Sequence, residues 1–316
     1  MAKRTEEEIQ KICDDYANNK LSLTKIAKKY KIDRKTVKKI LLSQSITERT
    51  HSQSNRIYDV DEHVFDKIDS PKIMWLLGWI VSDGCLYYCL KSNSYSLSWG
   101  LHQKDKSVLY HISNIFYKDK KDHVYLYNHQ NKFRAELKIN GHILGKRLKE
   151  IGIHPRKSLT SEYPKIIKDL PIDQQYAFIG GFYEGDGGLY FAIRKRKTKQ
   201  NSLCANCSLI GTKDICDNIA NILKTNLNIH GSISKAGRDG TNVWRLIING
   251  NKQVRKFLDW IYQDVNSGAA DYFLPRKYER YLDLCKYMDK GIMPEKLTYN
   301  AFKAPHSDDN IIEAAE

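Results

Sequence analysis

The chain has 316 residues, 41% hydrophobic and 28% charged, which suits a folded protein with room for two or three domains. Lys and Arg number 52 against 37 Asp and Glu, and the resulting +15 charge favours a polyanionic partner, nucleic acid first. No apolar run approaches the roughly 20 residues of a membrane span, the N-terminus shows no apolar signal core, and seven scattered cysteines are not a disulfide framework, so an intracellular protein away from membranes is expected.

Residues 1–46 read as an all-helical unit. A first helix runs from about Glu6 to Tyr16, and a second begins at Ser22, a hydroxyl cap, and carries Ile26, Ala27 and Tyr30. After a turn at Lys31 and Ile32, Asp33 caps a third helix with Val37, Ile40 and Leu41 inward. The stretch from Leu23 to Leu41 resembles a resolvase-type helix-turn-helix. That resemblance implies DNA binding, with Arg34, Lys35, Lys38 and Lys39 on the outer side reaching phosphates and base edges. Residues 1–50 hold 13 Lys and Arg against 7 Asp and Glu, a surplus of the right sign. A helical trio docking on protein is the competing reading. Residues 47–56 are polar and read as a linker; 291–316 read as an acidic, flexible tail.

From 57 to about 285 four landmarks occur twice in the same order. An apolar segment ends in Asp-Gly at Asp83-Gly84 and again at Asp186-Gly187. Lys-Asp opens a helix at Lys104-Asp105 and Lys213-Asp214. Ile-Asn-Gly recurs at 139–141 and 248–250, and Pro-Arg-Lys at 155–157 and 275–277. The second copy is longer, and the basic stretch around Arg194 to Lys199 is the expected insertion. Each copy reads as helix, two strands, helix, two strands, helix, over 57–170 and 171–290. Alternation marks strands at Tyr95–Leu101, Val124–Tyr127, Ala135–Ile139 and Val243–Ile248.

The two Asp-Gly segments, Leu76 to Gly84 and Ile179 to Gly187, resemble the motif of the LAGLIDADG homing endonucleases over roughly residues 57–285. The resemblance implies an α+β fold. Two pseudo-symmetric αββαββα half-domains would form a DNA-binding β-saddle, with the helical unit in front. It implies that the motif helices pack side by side at Gly78 and Gly181. Glycine within a helix costs about 1 kcal/mol relative to alanine, which suits positions where two backbones meet.

Asp83 and Asp186 would then be the catalytic acids, sharing two or three magnesium ions with the carbonyls of Ser82 and Gly185. Lys157 and Lys277 resemble the family's central basic residue and would stabilise charge on the phosphate. Phosphate contact alone is the other reading of these lysines, as it is of Arg156, Arg276, Arg194 and Arg196, which are expected to bind DNA. The chain departs from the family pattern at Val81, where an acid is common and Glu184 stands in the second copy. Gly100 and Leu209 fall where the family has a strand glutamine. The activity implied is a metal-dependent double-strand break by a monomer at a long, non-palindromic DNA site. A non-cleaving RNA maturase, with intron RNA as partner, or a transcription regulator is the alternative. Cys85, Cys89, Cys204 and Cys207 have spacings that a zinc site could use, but their strand setting favours buried reduced thiols.

Overall fold

The computed structural model describes residues 4–49, 59–91, 93–119, 122–130, 132–194 and 202–294. The chain divides into two compact units, one of residues 1–59 together with the short Leu90–Ser94 segment, the other of Val60–Cys89 and the chain from Tyr95 on.

The N-terminal unit has three helices, α1 (Glu6–Ala17), α2 (Leu23–Lys29) and α3 (Arg34–Ser43). Each begins after a short polar side chain that accepts from a backbone N–H three residues on: Thr5 from Glu8, Ser22 from Lys25, Asp33 from Thr36. Ile12, Tyr16, Leu23, Ile26, Val37 and Leu41 form the core, and Ala27 and Ile40 pack against it. The buried Asp15 carboxylate is satisfied by Lys29 Nζ at 2.6 Å, Tyr30 OH at 2.8 Å and Asn19 Nδ2 at 3.0 Å. This unit outruns the expected boundary at 46. Ile46 packs on the core, and the Arg49 guanidinium lies 4.2 Å from the centre of the Tyr16 ring while its backbone N–H donates to the Tyr16 hydroxyl at 2.6 Å. The start of the expected linker is therefore tied to the helices. Its remainder, 50–56, lies outside the described residues, as do 295–316 of the expected tail.

The second unit contains the same pattern twice. The first copy is α4 (Pro71–Val81), β1 (Cys85–Cys89), β2 (Ser94–His102), α5 (Lys106–Phe116), β3 (Val124–His129), β4 (Lys132–Asn140) and α6 (His142–Ile151). The second copy is α7 (Tyr176–Asp186), β5 (Gly187–Arg194), β6 (Ser202–Gly211), α8 (Lys213–Leu227), β7 (Gly231–Lys235), β8 (Trp244–Asn249) and α9 (Asn251–Ile261), followed by α10 (Pro275–Lys290). The fold is α+β, with two four-stranded sheets ordered β1-β2-β4-β3 and β5-β6-β8-β7. One face of each sheet is apolar: Leu97, Trp99 and Leu137 in the first, Cys207, Leu209 and Leu246 in the second, all buried. Val108, Leu109 and Ile112 of α5, and Ile215, Ile219 and Leu223 of α8, are buried at helical spacing.

The register corrects one expected equivalence. Leu97 pairs with Ile139 in one sheet and Cys207 with Ile248 in the other, so the shared Ile-Asn-Gly landmark makes Gly100 the counterpart of Ile210. Leu209 is fully buried, whereas Gly100 is exposed. A slip of one residue exchanges the faces of a strand, which is why this pairing could not be fixed from spacing alone.

The cysteine pairs lie in separate sheets. Among the described residues no group of three or more His, Cys, Asp or Glu could hold a metal. The expectation of buried thiols holds at Cys207, but Cys85 is exposed and Cys89 and Cys204 are half-buried. The first two lie on β1, an edge strand, where burial on both sides is lost.

Candidate active site

The site is built on the pairing of α4 and α7. Ser70 accepts from Ile73 N–H and Pro71 occupies the first turn of α4, after which every residue from Met74 to Val81 is buried. The two helices touch through backbone. A Cβ added to Gly78 would lie 2.6 Å from the Phe182 nitrogen, and one added to Gly181 would lie 2.7 Å from the Trp75 carbonyl carbon. A third glycine shares this role: a Cβ on Gly185 would lie 2.6 Å from Ser82 Cβ. Gly185 stands one helical turn after Gly181, and that i,i+4 spacing is the signal in the sequence that marks it as an interface residue.

Close packing carries both acids to neighbouring helix ends. Asp83 follows α4 by two residues and Asp186 is the last residue of α7. Burial and then the charge of Asp83 push the Asp186 carboxyl up to about 6. Asp83 is also raised, by the protein packed around it, with Lys277, Lys157 and Arg276 acting in the opposite direction. Asp83 itself is exposed and Asp186 half-buried, so both remain open to an incoming ligand.

Lys157 and Lys277 are buried beneath these helix ends. Lys157 Nζ donates to the carbonyls of Val81 and Ser82, both at 2.7 Å. Lys277 Nζ reaches the carbonyls of Tyr183 at 2.7 Å, Glu184 at 2.6 Å, Gly185 at 3.2 Å and Gly187 at 2.7 Å. Each lysine thus serves as the C-terminal cap of one motif helix. The negative ends of the two helix dipoles would otherwise repel the acids placed there. The lysines reach the same position by different routes. Lys157 opens a single 3-10 turn after Arg156, whose φ is 63°, whereas Lys277 lies in the first turn of α10. Burial lowers the affinity of both ammonium groups for a proton; at Lys277, Glu184 is the largest opposing influence.

Glu184 is fully enclosed. Its carboxylate accepts from Tyr262 OH at 2.6 Å and Leu274 N–H at 3.0 Å. Burial pushes its carboxyl up to about 7, against the pull of Lys277.

Two mutually repelling carboxylates, open on one side, fit a hard divalent cation. Magnesium characteristically takes one or two carboxylates and completes its shell with water and phosphate oxygens, which suits a place with two acids. The Ser82 and Gly185 carbonyls each accept from a lysine, and each carbonyl keeps a second lone pair for another partner.

The expected DNA-contacting residues differ in setting. Arg34, Lys35, Lys38 and Lys39 are all exposed on α3, and Lys38 pairs with Glu48 at 2.7 Å. Arg156 is exposed. Arg276 Nε donates to both carboxylate oxygens of Asp105, at 3.1 and 3.0 Å. Arg196 and the Arg194 side chain lie outside the described residues. On the open face of the first sheet, Tyr125 and Tyr127 stand opposite Glu136 and Arg134, an exposed aromatic and charged surface that β-branched patterning alone does not single out.

Residues 173–262 match the family model described as a LAGLIDADG-like domain. Among solved structures, the chain is similar to the LAGLIDADG meganuclease I-AabMI bound to uncleaved DNA, at 16% identity and a TM-score of 0.47 over 70% of this chain and 90% of that one. It is similar to the meganuclease I-SmaMI bound to an uncleaveable DNA, at 12% identity and 0.46 over 69% and 89%. Mesophilic variants of the homing endonuclease I-DmoI match at 19% identity and 0.41 over 61% and 96%. No curated protein matches the chain.

Proposed function

With a LAGLIDADG-like domain in the second half as premise, we propose that the chain is a metal-dependent DNA endonuclease. It acts inside the cell as a monomer and breaks both strands of a long, non-palindromic site. The observation that carries this reading is the pair of acids, Asp83 and Asp186, presented at the ends of two helices in glycine contact, each end capped by a buried lysine. A pure binding protein has no use for this arrangement, because two acids facing outward repel a phosphate backbone unless a cation lies between.

Asp83 and Asp186 would hold two or three magnesium ions, with the carbonyls of Ser82 and Gly185 as further oxygen donors. When bound, the metal supplies positive charge to the scissile phosphates and lowers the pKa of coordinated water. The protein's own part is positional. Gly78, Gly181 and Gly185 bring the acids together, and Lys157 and Lys277 offset the helix dipoles and add positive charge beneath the phosphates. In the reaction a water oxygen bonds to phosphorus as one ester P–O bond breaks. The departing sugar oxygen takes a proton, and the water gives one up. Arg156 and Arg276, exposed beside the lysines, contact flanking phosphates, and Arg194 and Arg196 would add further phosphate contacts. Arg34, Lys35, Lys38 and Lys39 on α3 add contacts outside the cleaved region.

The test is cleavage of a randomised duplex library in the presence of magnesium by the parent, Asp83→Asn and Asp186→Asn. Double-strand cuts by the parent and loss of cutting in both variants are expected. Tight binding to duplex or to intron RNA without cutting by the parent would instead establish the regulator or maturase reading.

A further inference from the structure

Gly181 and Gly185 of α7 meet α4, but a second face of the same helix is left nearly bare. Ala177 and Gly180 stand three residues apart and so share that face. A Cβ added to Gly180 would meet only Ile261, at 3.4 and 3.6 Å. These small residues floor a cleft of about 310 Å³, partly open to solvent. Its walls are four aromatic rings, Trp75, Tyr176, Tyr262 and Tyr272, and two acids, Glu184 and Asp264. Gly180 precedes Asp186 by almost two helical turns, about 9 Å along the axis, so the floor lies well back from the helix end that carries the acid.

The two acids are not equivalent. Glu184 accepts from Tyr262 OH and Leu274 N–H, and its charge is opposed by Lys277. Asp264 accepts at Oδ2 from Tyr176 OH at 2.6 Å. Among the described residues it has no cationic partner and no hydrogen bond at Oδ1. A carboxylate offers about four acceptor positions, so most of those on Asp264 are open. Its charge reaches two of the rings: burial first, and then Asp264, push up the Tyr176 and Tyr272 hydroxyls, Tyr272 to about 12. The Trp75 and Tyr272 rings stand together, their centres 5.0 Å apart, and ring faces are negative. Lys72 Nζ already lies 6.0 Å from the Tyr272 ring, a distance at which such a face attracts an ammonium group, yet Lys72 does not line the cleft. The net +15 charge of the chain works against a cation. It is screened beyond about 10 Å at 0.1 M salt, whereas Asp264 acts at contact.

We propose that this cleft binds an organic cation, an ammonium group on an unbranched alkyl chain. The ammonium N–H groups donate to Asp264 Oδ1 and to the Tyr176 hydroxyl oxygen, whose own proton is committed to Asp264. The methylenes lie against Trp75 and Tyr272. An anion is repelled by both carboxylates. A hard metal ion requires several oxygen ligands, and most of the wall is ring carbon. A neutral apolar molecule would cover Asp264 without giving it a partner. The occupant touches α4, α7 and the turn after α9, and so ties the two halves together. Lysine side chains and free polyamines both carry this chemistry. The inference stands apart from the endonuclease reading.

The experiment titrates the full chain, without DNA, with butylammonium chloride, and separately with butanol and with sodium chloride at matched ionic strength. Binding is read by ligand-observed NMR and by the thermal midpoint. Butylammonium is expected to bind saturably, with a dissociation constant of about 1 mM for so small a ligand, and to raise the midpoint; butanol and sodium chloride are expected to do neither. Asp264→Asn keeps an oxygen for Tyr176 and removes the charge, and Tyr272→Leu removes one aromatic wall. Each is expected to weaken binding about tenfold or more. Capped lysine and diaminobutane then separate the two sources, and the tighter binder identifies the natural one. No saturable binding of butylammonium, equal binding of butanol, or undiminished binding by Asp264→Asn overturns the proposal. If neither variant folds, the preference of the parent for butylammonium over butanol decides it. No part of the test reads cleavage, so failure of the endonuclease reading leaves this result intact.

Discussion

Arg276 grips Asp105 across 171 positions of sequence, its Nε donating to both carboxylate oxygens. Asp105 belongs to the Lys-Asp landmark of the first half and Arg276 to the Pro-Arg-Lys landmark of the second. The reverse connection uses a different acceptor arrangement: Asp214, from the second Lys-Asp, accepts from Tyr163 N–H at 2.7 Å, six residues after the first Pro-Arg-Lys. The aspartates of both Lys-Asp landmarks therefore bind the opposite half. Arg276 is more than half exposed and Asp105 largely covered, so the pair should contribute about 0.5–1 kcal/mol. A double-mutant cycle with Asp105→Ala and Arg276→Ala, read by urea denaturation, should return a coupling of that size. Additive effects would show that the contact contributes nothing.

Adjacent glycines of α7 should respond oppositely to the same substitution. A Cβ on Gly181 would press into Trp75 backbone, which has nowhere to move without separating the helices. A Cβ on Gly180 meets the Ile261 carbonyl oxygen at 3.4 Å and Ile261 Cβ at 3.6 Å, ordinary contact distances. Gly181→Ala should cost about 3 kcal/mol or more by overpacking. Gly180→Ala should be neutral or stabilising by up to about 1 kcal/mol through helix propensity. Thermal denaturation of the two single variants is sufficient, and equal midpoints would contradict a backbone contact between the helices at Gly181.

Much of this arrangement is legible in the sequence because it is local. Ser70 and Pro71 mark the start of α4, the apolar run marks its burial, and the repeated Gly and Asp-Gly mark what it is for. The two lysines are also legible as repeated landmarks. Their capping bonds are not, since Lys157 reaches back 75 residues to Ser82 and Lys277 reaches 92 to Gly185. Glu184 stands out as an acid in an apolar helix, yet nothing in the sequence names Tyr262 and the Leu274 N–H as its partners. Gly100 and Leu209 show the opposite failure, where a one-residue shift too small to affect the landmarks reverses which face of the strand is considered.

Metal-free stability should depend on pH through Asp186. Its carboxyl is raised from an ordinary 3.8 to about 6 in the folded chain. Between these values the folded state binds the proton more tightly than the unfolded state, so stability falls as pH rises through this window and levels off above it. Asp186 is half-buried, and solvent screening reduces the effect to about 1 kcal/mol, or roughly 2–4 °C in a unit of this size. Glu184, raised to about 7, acts in the same direction over an overlapping range, so the comparison must be with Asp186→Asn. In chelator, the parent's thermal midpoint should decline from pH 4 to 7 by more than that of Asp186→Asn. Added magnesium at pH 7.5 should raise the parent more than the variant. Parallel pH profiles would remove Asp186 from the site.

Contacts made by α3 should be visible as salt dependence. Lys35 and Lys39 are exposed and, among the described residues, have no ion pair, whereas Lys38 is held by Glu48. A lysine that neutralises one phosphate displaces counterions, and its loss lowers the slope of log affinity against log salt by about 0.9. Lys35→Ala should therefore weaken binding to duplex DNA at low salt and reduce the slope by about 1. Lys38→Ala has to be compared with Lys38→Ala in a Glu48→Ala background, because losing Glu48 frees a positive charge while losing Lys38 frees a negative one. Glu48→Ala alone should strengthen binding at low salt and steepen the slope. The cleavage rate at saturating enzyme should be unchanged by Lys35→Ala, since α3 and the acids belong to separate compact units. An unchanged salt slope in Lys35→Ala and Lys39→Ala together would favour the reading in which this helical trio docks on protein.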